Sequence, residues 1–293
     1  MVNGVNENST VKPIEDDGPT YDRRSLTYSD TFENPIKRTV IQAIEWLTGK
    51  ITIIRRVRAF EKLDPPKGQE FWHATMKTMG IDLLTPQEQI ENIPAEGPVV
   101  LVANHPHGLV DGMILADLIG RRRDDYRILT RSMLTGIDES ASSYMIPVPF
   151  PHEADAQTKM LEMRNAARAH LAEGGLVALF PSGAVSASES MFGDAVEGEW
   201  NVFTAKLIRT SKSAVVPMFF PGSNSRWYHM ANRISATLRQ GLLLHEVAYA
   251  FDKPQKPVIG EAVSPEEAQE RSKNPREFMA WLRERTLSLK EKN

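Results

Sequence analysis

The feature that most constrains the fold is the alternation, beyond Gly80, of short apolar runs with longer helical segments. Four runs predict strands: GPVVLVAN, YRILT, GLVALF and AVVPMFF. Helices are predicted in between and after them: LVDGMILADLIG, AQTKMLEMRNAARAHLAEG, EWNVFTAKLIRTS and RWYHMANRISATLRQ. A further strand, LHEVAYAF, and a broken helix to the C-terminus complete the pattern. Strands that alternate with helices are typical of an α/β fold, here a mostly parallel central sheet flanked by helices.

The chain divides into three parts by pattern. Residues 1–30 are polar and lack apolar periodicity, which predicts a disordered arm. Residues 31–80 hold an amphipathic helical segment that begins near Asn34, has a candidate bend at Gly49, and is followed by a second short helix. Its basic residues Arg55, Arg56 and Arg58 fit either a membrane contact or the solvated face of a core helix. Residues 81–293 form the predicted α/β domain.

Composition excludes several function classes. A net charge of −3 with mixed signs gives no overall attraction to nucleic acid, and the absence of cysteine excludes disulfides, thiolate metal sites and a cysteine nucleophile. No stretch reaches the roughly 18 apolar residues of a membrane span, and the start lacks the apolar segment of a signal peptide. We therefore expect a cytoplasmic protein that would meet a membrane only at its surface.

Three unusual loops follow predicted strands: NHPHGLVD, FPSGAVS and FPGSNSR. Because parallel α/β sheets form their sites at the carboxyl ends of strands, these loops are the candidate site. In the first, Asp111 in the first helical turn is placed to hydrogen-bond His105 at the strand end and leave its second ring nitrogen free as a base. His107, four residues before Asp111, is the less favoured partner.

Two other interpretations stay open for this cluster. In the first, the histidines have no chemical role and merely pack at a turn, which would fit a non-enzymatic lipid-binding protein. In the second, His105, His107 and Asp111 bind the metal ion of a hydrolase. A metal site needs further ligands, and the remaining histidines stand in no ligand-like spacing: His73, His152, His170, His229 and His245. A metal site is therefore the minority interpretation, and we expect no metal or other cofactor.

The three loops, in this order and spacing, resemble the motifs of the glycerolipid and lysophospholipid acyltransferase family. The likeness covers about residues 84–263 and is closest to the hemolysin-like branch that includes ornithine-lipid O-acyltransferases. That branch also has five residues between the Asn-His pair and the aspartate, as here. The resemblance implies that His105 is the catalytic base and Asp111 its orienting partner. It also implies transfer of a fatty acyl group from acyl-CoA or acyl carrier protein to a lysolipid hydroxyl, on the cytoplasmic face of a membrane.

Direct attack by the hydroxyl suits this chain, since it has neither a cysteine nor a Gly-x-Ser-x-Gly nucleophile. Backbone amides near Gly108 or Gly183 are the expected donors to the oxyanion. The second loop departs from the family's Phe-Pro-Glu-Gly-Thr-Arg-Ser pattern, because it lacks both the glutamate and the arginine that suit a phosphate-bearing acceptor. An amino-acid or zwitterionic lysolipid is therefore favoured, with Arg131 or Arg226 contacting its anionic group.

The third loop has two interpretations as well, since Asn224 and Ser225 fit either helix capping or substrate contact. The predicted substrate-binding residues together are His107, Gly108, Arg131, Phe180, Pro181, Ser182, Gly183, Asn224, Ser225 and Arg226.

Overall fold

The computed structural model describes residues 27–29, 32–131, 139–150, 153, 155–188 and 193–292. The predicted arm, residues 1–30, lies outside the described residues except for 27–29, so its disorder stays a prediction.

A six-stranded sheet with the order β3-β2-β4-β1-β7-β8 forms the centre of the molecule. Its strands are β1 (Val99–Ala103), β2 (Tyr126–Arg131), β3 (Met145–Val148), β4 (Leu176–Leu179), β7 (Ala214–Phe219) and β8 (Val258–Ile259). All neighbours pair in parallel except β7 and β8, which are antiparallel. The short strands β5 (Ala187–Ser188) and β6 (Ala195–Val196) pair with each other separately. The predicted mostly parallel α/β fold is thereby confirmed.

Helices precede, connect and follow these strands. Before the sheet lie α1 (Pro35–Thr48), α2 (Lys50–Glu61), α3 (Glu70–Met79) and α4 (Gln87–Ile90). Within it lie α5 (Leu109–Gly120), α6 (Glu139–Ser142), α7 (Ala156–Ala172) and α8 (Val202–Ser211). After β7 come α9 (Arg226–Ile234), α10 (Ala236–Gly241), α11 (Leu243–Tyr249), α12 (Pro265–Arg271), α13 (Pro275–Ser288) and a 3₁₀ turn (Leu289–Lys292).

Strand β1 shows why its sequence reads as a continuous apolar run. Val99 and Leu101 face the core on one side of the sheet, where α3 and α5 pack, whereas Val100 and Val102 face the core under α7, α8 and α13. Because side chains alternate between the two faces of a strand, a strand covered on both faces needs apolar residues at every position. This places the end of β1, and the loop after it, at the middle of the sheet.

The structure corrects the strand predicted at LHEVAYAF, since this segment is helix α11. Leu244 and Val247 are buried at a spacing of three, followed by Ala250 and Phe251, which is a helical period. The β-branched and aromatic residues of the segment mimic strand composition, but packing against α2 stabilises the helix. The edge of the sheet is instead formed by β8.

Two predicted helices are divided. Gly49 separates α1 from α2, and a side chain there would collide with the backbone of α11, because an added Cβ would lie 2.7 Å from the Leu244 carbonyl oxygen. Ser235 separates α9 from α10 by adopting an extended conformation, from which its hydroxyl accepts a hydrogen bond from the Thr237 amide.

In the described part of the chain, every helix is too short or too polar to cross a lipid bilayer.

Candidate active site

The loop after β1 is organised around one carboxylate. Asp111 is fully buried, and its Oδ2 accepts hydrogen bonds from His105 Nδ1 at 3.0 Å, from the His107 amide at 2.8 Å and from the Gly108 amide at 3.1 Å. Its Oδ1 accepts from His107 Nδ1 at 2.9 Å. At Gly108 the chain turns into α5 with a φ of +76°, a backbone conformation in which a residue with a side chain would be strained. A single aspartate therefore holds both histidines.

The protonation state of Asp111 determines the histidine tautomers. Burial alone raises the pKa of Asp111, but the charge and hydrogen bonds of His107 and His105 outweigh it, so its pKa lies below the usual range. An ionised carboxylate only accepts hydrogen bonds, so each neutral ring donates through Nδ1–H and exposes the lone pair of Nε2. Both rings are thus oriented as bases, which the sequence predicted for one of them.

The two rings point toward different neighbours of β1. His105 stacks on Phe180, which follows β4, with ring centroids 3.9 Å apart and an interplanar angle of 19°. His107 lies beside Gly222, which follows β7, where an added Cβ would be 3.1 Å from Nε2. The side chains are 17% exposed for His105 and 10% exposed for His107, so solvent reaches both. The predicted pairing of His105 with Asp111 is present, together with a second pairing that the sequence treated as an alternative.

Glu197 is a buried residue of the site that the sequence did not indicate. Its Oε2 accepts hydrogen bonds from the His105 amide at 3.1 Å and the Ser186 hydroxyl at 2.6 Å, and its Oε1 accepts from the Trp200 indole at 3.0 Å. The His105 carbonyl in turn accepts from the Ser186 amide at 2.8 Å. Glu197 therefore attaches the backbone of His105 to the segments around β5 and β6.

Asn104 fixes the other side of the same loop. Its side-chain amide donates to the Phe220 carbonyl at 2.9 Å and accepts from the Phe220 amide at 2.7 Å, so it continues the β1–β7 pairing one step beyond the strands. Because it precedes His105 directly, this pair of bonds sets where the histidine loop begins.

The second loop, which contacts the first through Phe180, Val185 and Ser186, has its own internal bonds. Pro181 is buried, its carbonyl accepts from the Asn201 amide at 3.0 Å, and Ser182 donates to the Ala184 carbonyl at 3.0 Å. Arg131, at the end of β2, donates to the Gly183 carbonyl at 3.1 Å and lies over a ring, Phe150, at 4.9 Å. Burial lowers the pKa of the Arg131 guanidinium. Arg131 thus connects β2 to this loop, while its predicted contact with an anionic group stays a prediction.

The backbone amides of Gly108 and Gly183, near which the oxyanion donors are predicted, are both engaged within the protein. The Gly108 amide donates to Asp111, and the Gly183 amide donates to the Phe180 carbonyl at 2.9 Å. These two amides complete the turns that shape the loops. That another amide near Gly108 or Gly183 binds the oxyanion stays a prediction.

In the third loop, helix capping and contact with the site belong to different residues. Ser225 caps α9 and is bound by Glu246, whose two oxygens accept from its amide and hydroxyl at 2.6 Å each. Asn224 is 5% exposed and lines a cavity with His107. Arg226 is exposed at the start of α9 and forms no hydrogen bond or ion pair with His105 or Asp111 in the described part of the chain.

Among the described residues, no group of three or more histidine, cysteine, aspartate or glutamate side chains is arranged to hold a metal ion. His152, one of the histidines considered as a ligand, lies outside the described residues.

Comparison with known proteins finds a matching family model and two relatives of described activity. A family model described as acyltransferase matches residues 31–252. A lyso-glycine lipid O-acyltransferase of Phocaeicola vulgatus is 29% identical over 172 residues, covering 56% of each chain. A second, from Bacteroides thetaiotaomicron, is 30% identical over 169 residues, covering 56% of this chain and 58% of the relative. The match thus spans little more than half the length of these relatives.

Among solved structures, the chain is similar to the 1-acyl-sn-glycerophosphate acyltransferase PlsC of Thermotoga maritima. The two are 14% identical with a TM-score of 0.45, over 87% of this chain and 84% of that one.

Proposed function

Because the chain belongs to the acyltransferase family, we propose that it is an O-acyltransferase that moves a fatty acyl group from an acyl thioester to the hydroxyl of a lysolipid. One observation carries the proposal: His105 Nδ1 lies 3.0 Å from Oδ2 of the buried Asp111 at the end of the central strand. A neutral ring that donates to this carboxylate through Nδ1 has its Nε2 lone pair available as a base.

In the proposed reaction, His105 Nε2 removes the proton of the acceptor hydroxyl as its oxygen attacks the thioester carbonyl carbon. The tetrahedral intermediate collapses by breaking the carbon–sulfur bond, and the His105 imidazolium returns the proton to the thiolate. An alcohol is a weak nucleophile at neutral pH, so this general base supplies about 10²–10⁴ in rate. The negative charge of Asp111 stabilises the imidazolium formed between the two steps.

The donor is an acyl thioester of coenzyme A or acyl carrier protein, and the reaction uses no further cofactor. A thiolate is a good leaving group, so neither a covalent acyl-enzyme nor a Lewis acid is required for this step. The chain also lacks a cysteine nucleophile.

We propose an amino-acid lysolipid as the acceptor. The two curated relatives are lyso-glycine lipid O-acyltransferases, and the second loop has Ser182 and Val185 where phosphate-specific relatives carry glutamate and arginine. A carboxylate head group needs fewer hydrogen-bond donors than a phosphate, which agrees with the absence of the arginine from this loop.

Introducing the glutamate and arginine that the second loop lacks tests this choice of acceptor. The double variant Ser182→Glu with Val185→Arg is expected to show no gain in acylation of lyso-glycine lipid, because the Val185 side chain lies against Gly108 and a long arginine would crowd the turn into α5. Initial rates with lyso-glycine lipid and with lysophosphatidic acid measure the effect. A large gain on lysophosphatidic acid would show that the rest of the pocket suits phosphate, and would contradict an amino-acid acceptor. A large gain on lyso-glycine lipid would show that the loss of glutamate and arginine is unrelated to the acceptor.

We further propose that the protein works at the cytoplasmic surface of a membrane, as a peripheral protein. Large apolar side chains are exposed on α1, α2 and α9, including Leu47 at 86%, Ile51 at 45% and Trp227 at 67% exposed. Helix α10 packs against both α1 and α9, so these side chains belong to one helical layer, and α9 begins next to the third loop of the site. Exposed apolar residues beside a site for a lipid substrate favour a surface that rests on the bilayer.

The basic residues of α2 give a test of this surface. Arg55 and Arg58 are exposed on the same helical face as Ile51, whereas Arg56 pairs with Asp252 and donates to the Thr78 carbonyl. Changing Arg55 and Arg58 to glutamate is expected to weaken co-sedimentation with anionic vesicles at low salt by at least about 30-fold, since each basic residue contributes about 1 kcal/mol there.

In the matched control, Arg168 and Lys206 are changed to glutamate. These two residues are exposed on α7 and α8, at the other face of the sheet. Equal loss in both double variants would indicate a general charge effect, and unchanged binding in the α2 variant would remove this helix as the membrane contact.

Lipid mass spectrometry after expression in a heterologous host tests the proposed function as a whole, with His105→Ala as the inactive control. A diacyl lipid that appears only with the wild-type chain supports an acyltransferase. Hydrolysis of lysolipid without a new diacyl lipid would favour a hydrolase, and lipid binding without turnover would favour a lipid-binding protein.

A further inference from the structure

A cavity of about 330 Å³ lies beside His107, on the β7 side of the catalytic loop. The third loop forms one wall through Asn224, and the end of α11 with the segment after it forms the other through Tyr249, Lys253 and Lys256. Its volume is that of a small ligand site. The His105–Asp111 pair does not use this space, because the His105 ring lies on the other side of β1 against Phe180.

The wall nearest His107 carries an unused donor. Asn224 is 5% exposed, and its side-chain Nδ2 has no hydrogen-bond partner among the described residues. A buried donor left unpaired costs about 1–3 kcal/mol, so a ligand oxygen that accepted from it would recover that energy.

The opposite wall carries uncompensated positive charge. Lys253 is half-buried over the Tyr249 ring, and within the described chain neither it nor Lys256 has a carboxylate within ion-pair distance. Glu246 is the acidic member of the described lining, but both of its oxygens already accept hydrogen bonds from Ser225. Counted together with the Glu246 carboxylate, the lining still has one more positive than negative charge, and Asn224 adds an amide donor, so the cavity suits an anion.

The geometry points to the carboxylate of the acceptor head group as the ligand of this cavity, an inference that rests on the proposed function. An acceptor hydroxyl beside His105 leaves the head group to extend past His107, which shares Asp111 with His105. The phosphates of coenzyme A are separated from the thioester carbon by the whole pantetheine arm. A cavity that borders the Asp111 cluster is too close to the reacting carbon for them.

Direct binding tests the inference without requiring turnover. The probe is an N-acyl glycine below its micelle concentration, compared with its neutral methyl ester by calorimetry. Wild type is expected to bind the acid about 10- to 100-fold more tightly than the ester, the range of a charge-assisted hydrogen bond. The double variant Lys253→Met with Lys256→Met is expected to bind both with the same low affinity. The control is the double variant Lys206→Met with Lys77→Met, since these lysines are exposed on α8 and α3. It is expected to bind the acid and the ester with the affinities of wild type.

The outcomes separate the two levels of the proposal. If wild type prefers the acid and the lysine variant does not, the assignment of the cavity to a carboxylate is supported. Should acyl transfer then not be found, only the proposed function fails. If the variant keeps the preference for the acid, or if wild type shows none, the assignment is wrong. A rise confined to the KM of acyl-CoA in the variant would overturn it in favour of the donor phosphates.

Discussion

His105→Ala is expected to lower kcat/KM for acyl transfer by about 10²–10⁴-fold while the protein stays folded. In the proposed reaction the ring supplies the Nε2 lone pair that removes the hydroxyl proton, and alanine has no group that could replace it. The structural loss is small, because Asp111 keeps its hydrogen bonds from the His107 ring and from the amides of His107 and Gly108. Steady-state rates with a defined lysolipid and acyl-CoA, together with circular dichroism, measure both effects.

Comparison with His107→Ala decides which histidine is the base. We expect this variant to keep most of its kcat and to lose affinity for the acceptor, since His107 lines the cavity rather than stacking on Phe180. His73→Ala, on the exposed face of α3, is the control for loss of a histidine elsewhere. If His107→Ala is the inactive variant and His105→Ala retains most of its rate, the assignment of the base is reversed.

Where burial follows a local period, the sequence was sufficient to predict the fold. The boundaries of α5 match the predicted LVDGMILADLIG, and β1, β2, β4 and β7 lie where apolar runs predicted them. The prediction failed at α11, where valine, tyrosine and phenylalanine suggest a strand and only packing against α2 stabilises the helix. It also missed β8, because two residues that pair with β7 show no period.

The site follows the same division. The His105–Asp111 pair was predictable, because six residues across a strand-to-helix turn fix a short path between them. Glu197 was not predictable, since it lies 92 residues from His105 in a polar stretch, and only tertiary folding buries it. Asn104 was likewise hidden, because its partner Phe220 belongs to another strand end. Residues that act locally leave a pattern in the sequence, whereas residues that join distant segments do not.

Glu197 is nevertheless expected to matter nearly as much as the histidine it positions. Its two oxygens accept from three donors: the His105 amide, the Ser186 hydroxyl and the Trp200 indole. Glutamine has the same shape but only one acceptor oxygen, so in Glu197→Gln at least one buried donor loses its partner. That loss costs about 1–3 kcal/mol of unfolding free energy.

In either orientation the NH2 group of the glutamine would face a donor, either the Trp200 indole or the His105 amide with the Ser186 hydroxyl, so the side chain cannot keep its place. Glu197→Gln is therefore also expected to displace the histidine loop and lower kcat by about 10²-fold, the effect of a misplacement near 1 Å. The rate is measured well below the melting temperature of the variant, where urea titration shows that nearly all molecules are folded. A role confined to stability would leave kcat per folded molecule unchanged and so contradict a positioning role. Glu199→Gln, exposed two residues further on, is the control and is expected to change neither stability nor rate. The combination of His105→Ala with Glu197→Gln should then be no slower than His105→Ala alone, because a carboxylate that acts only through the histidine has no effect on the rate once the ring is gone.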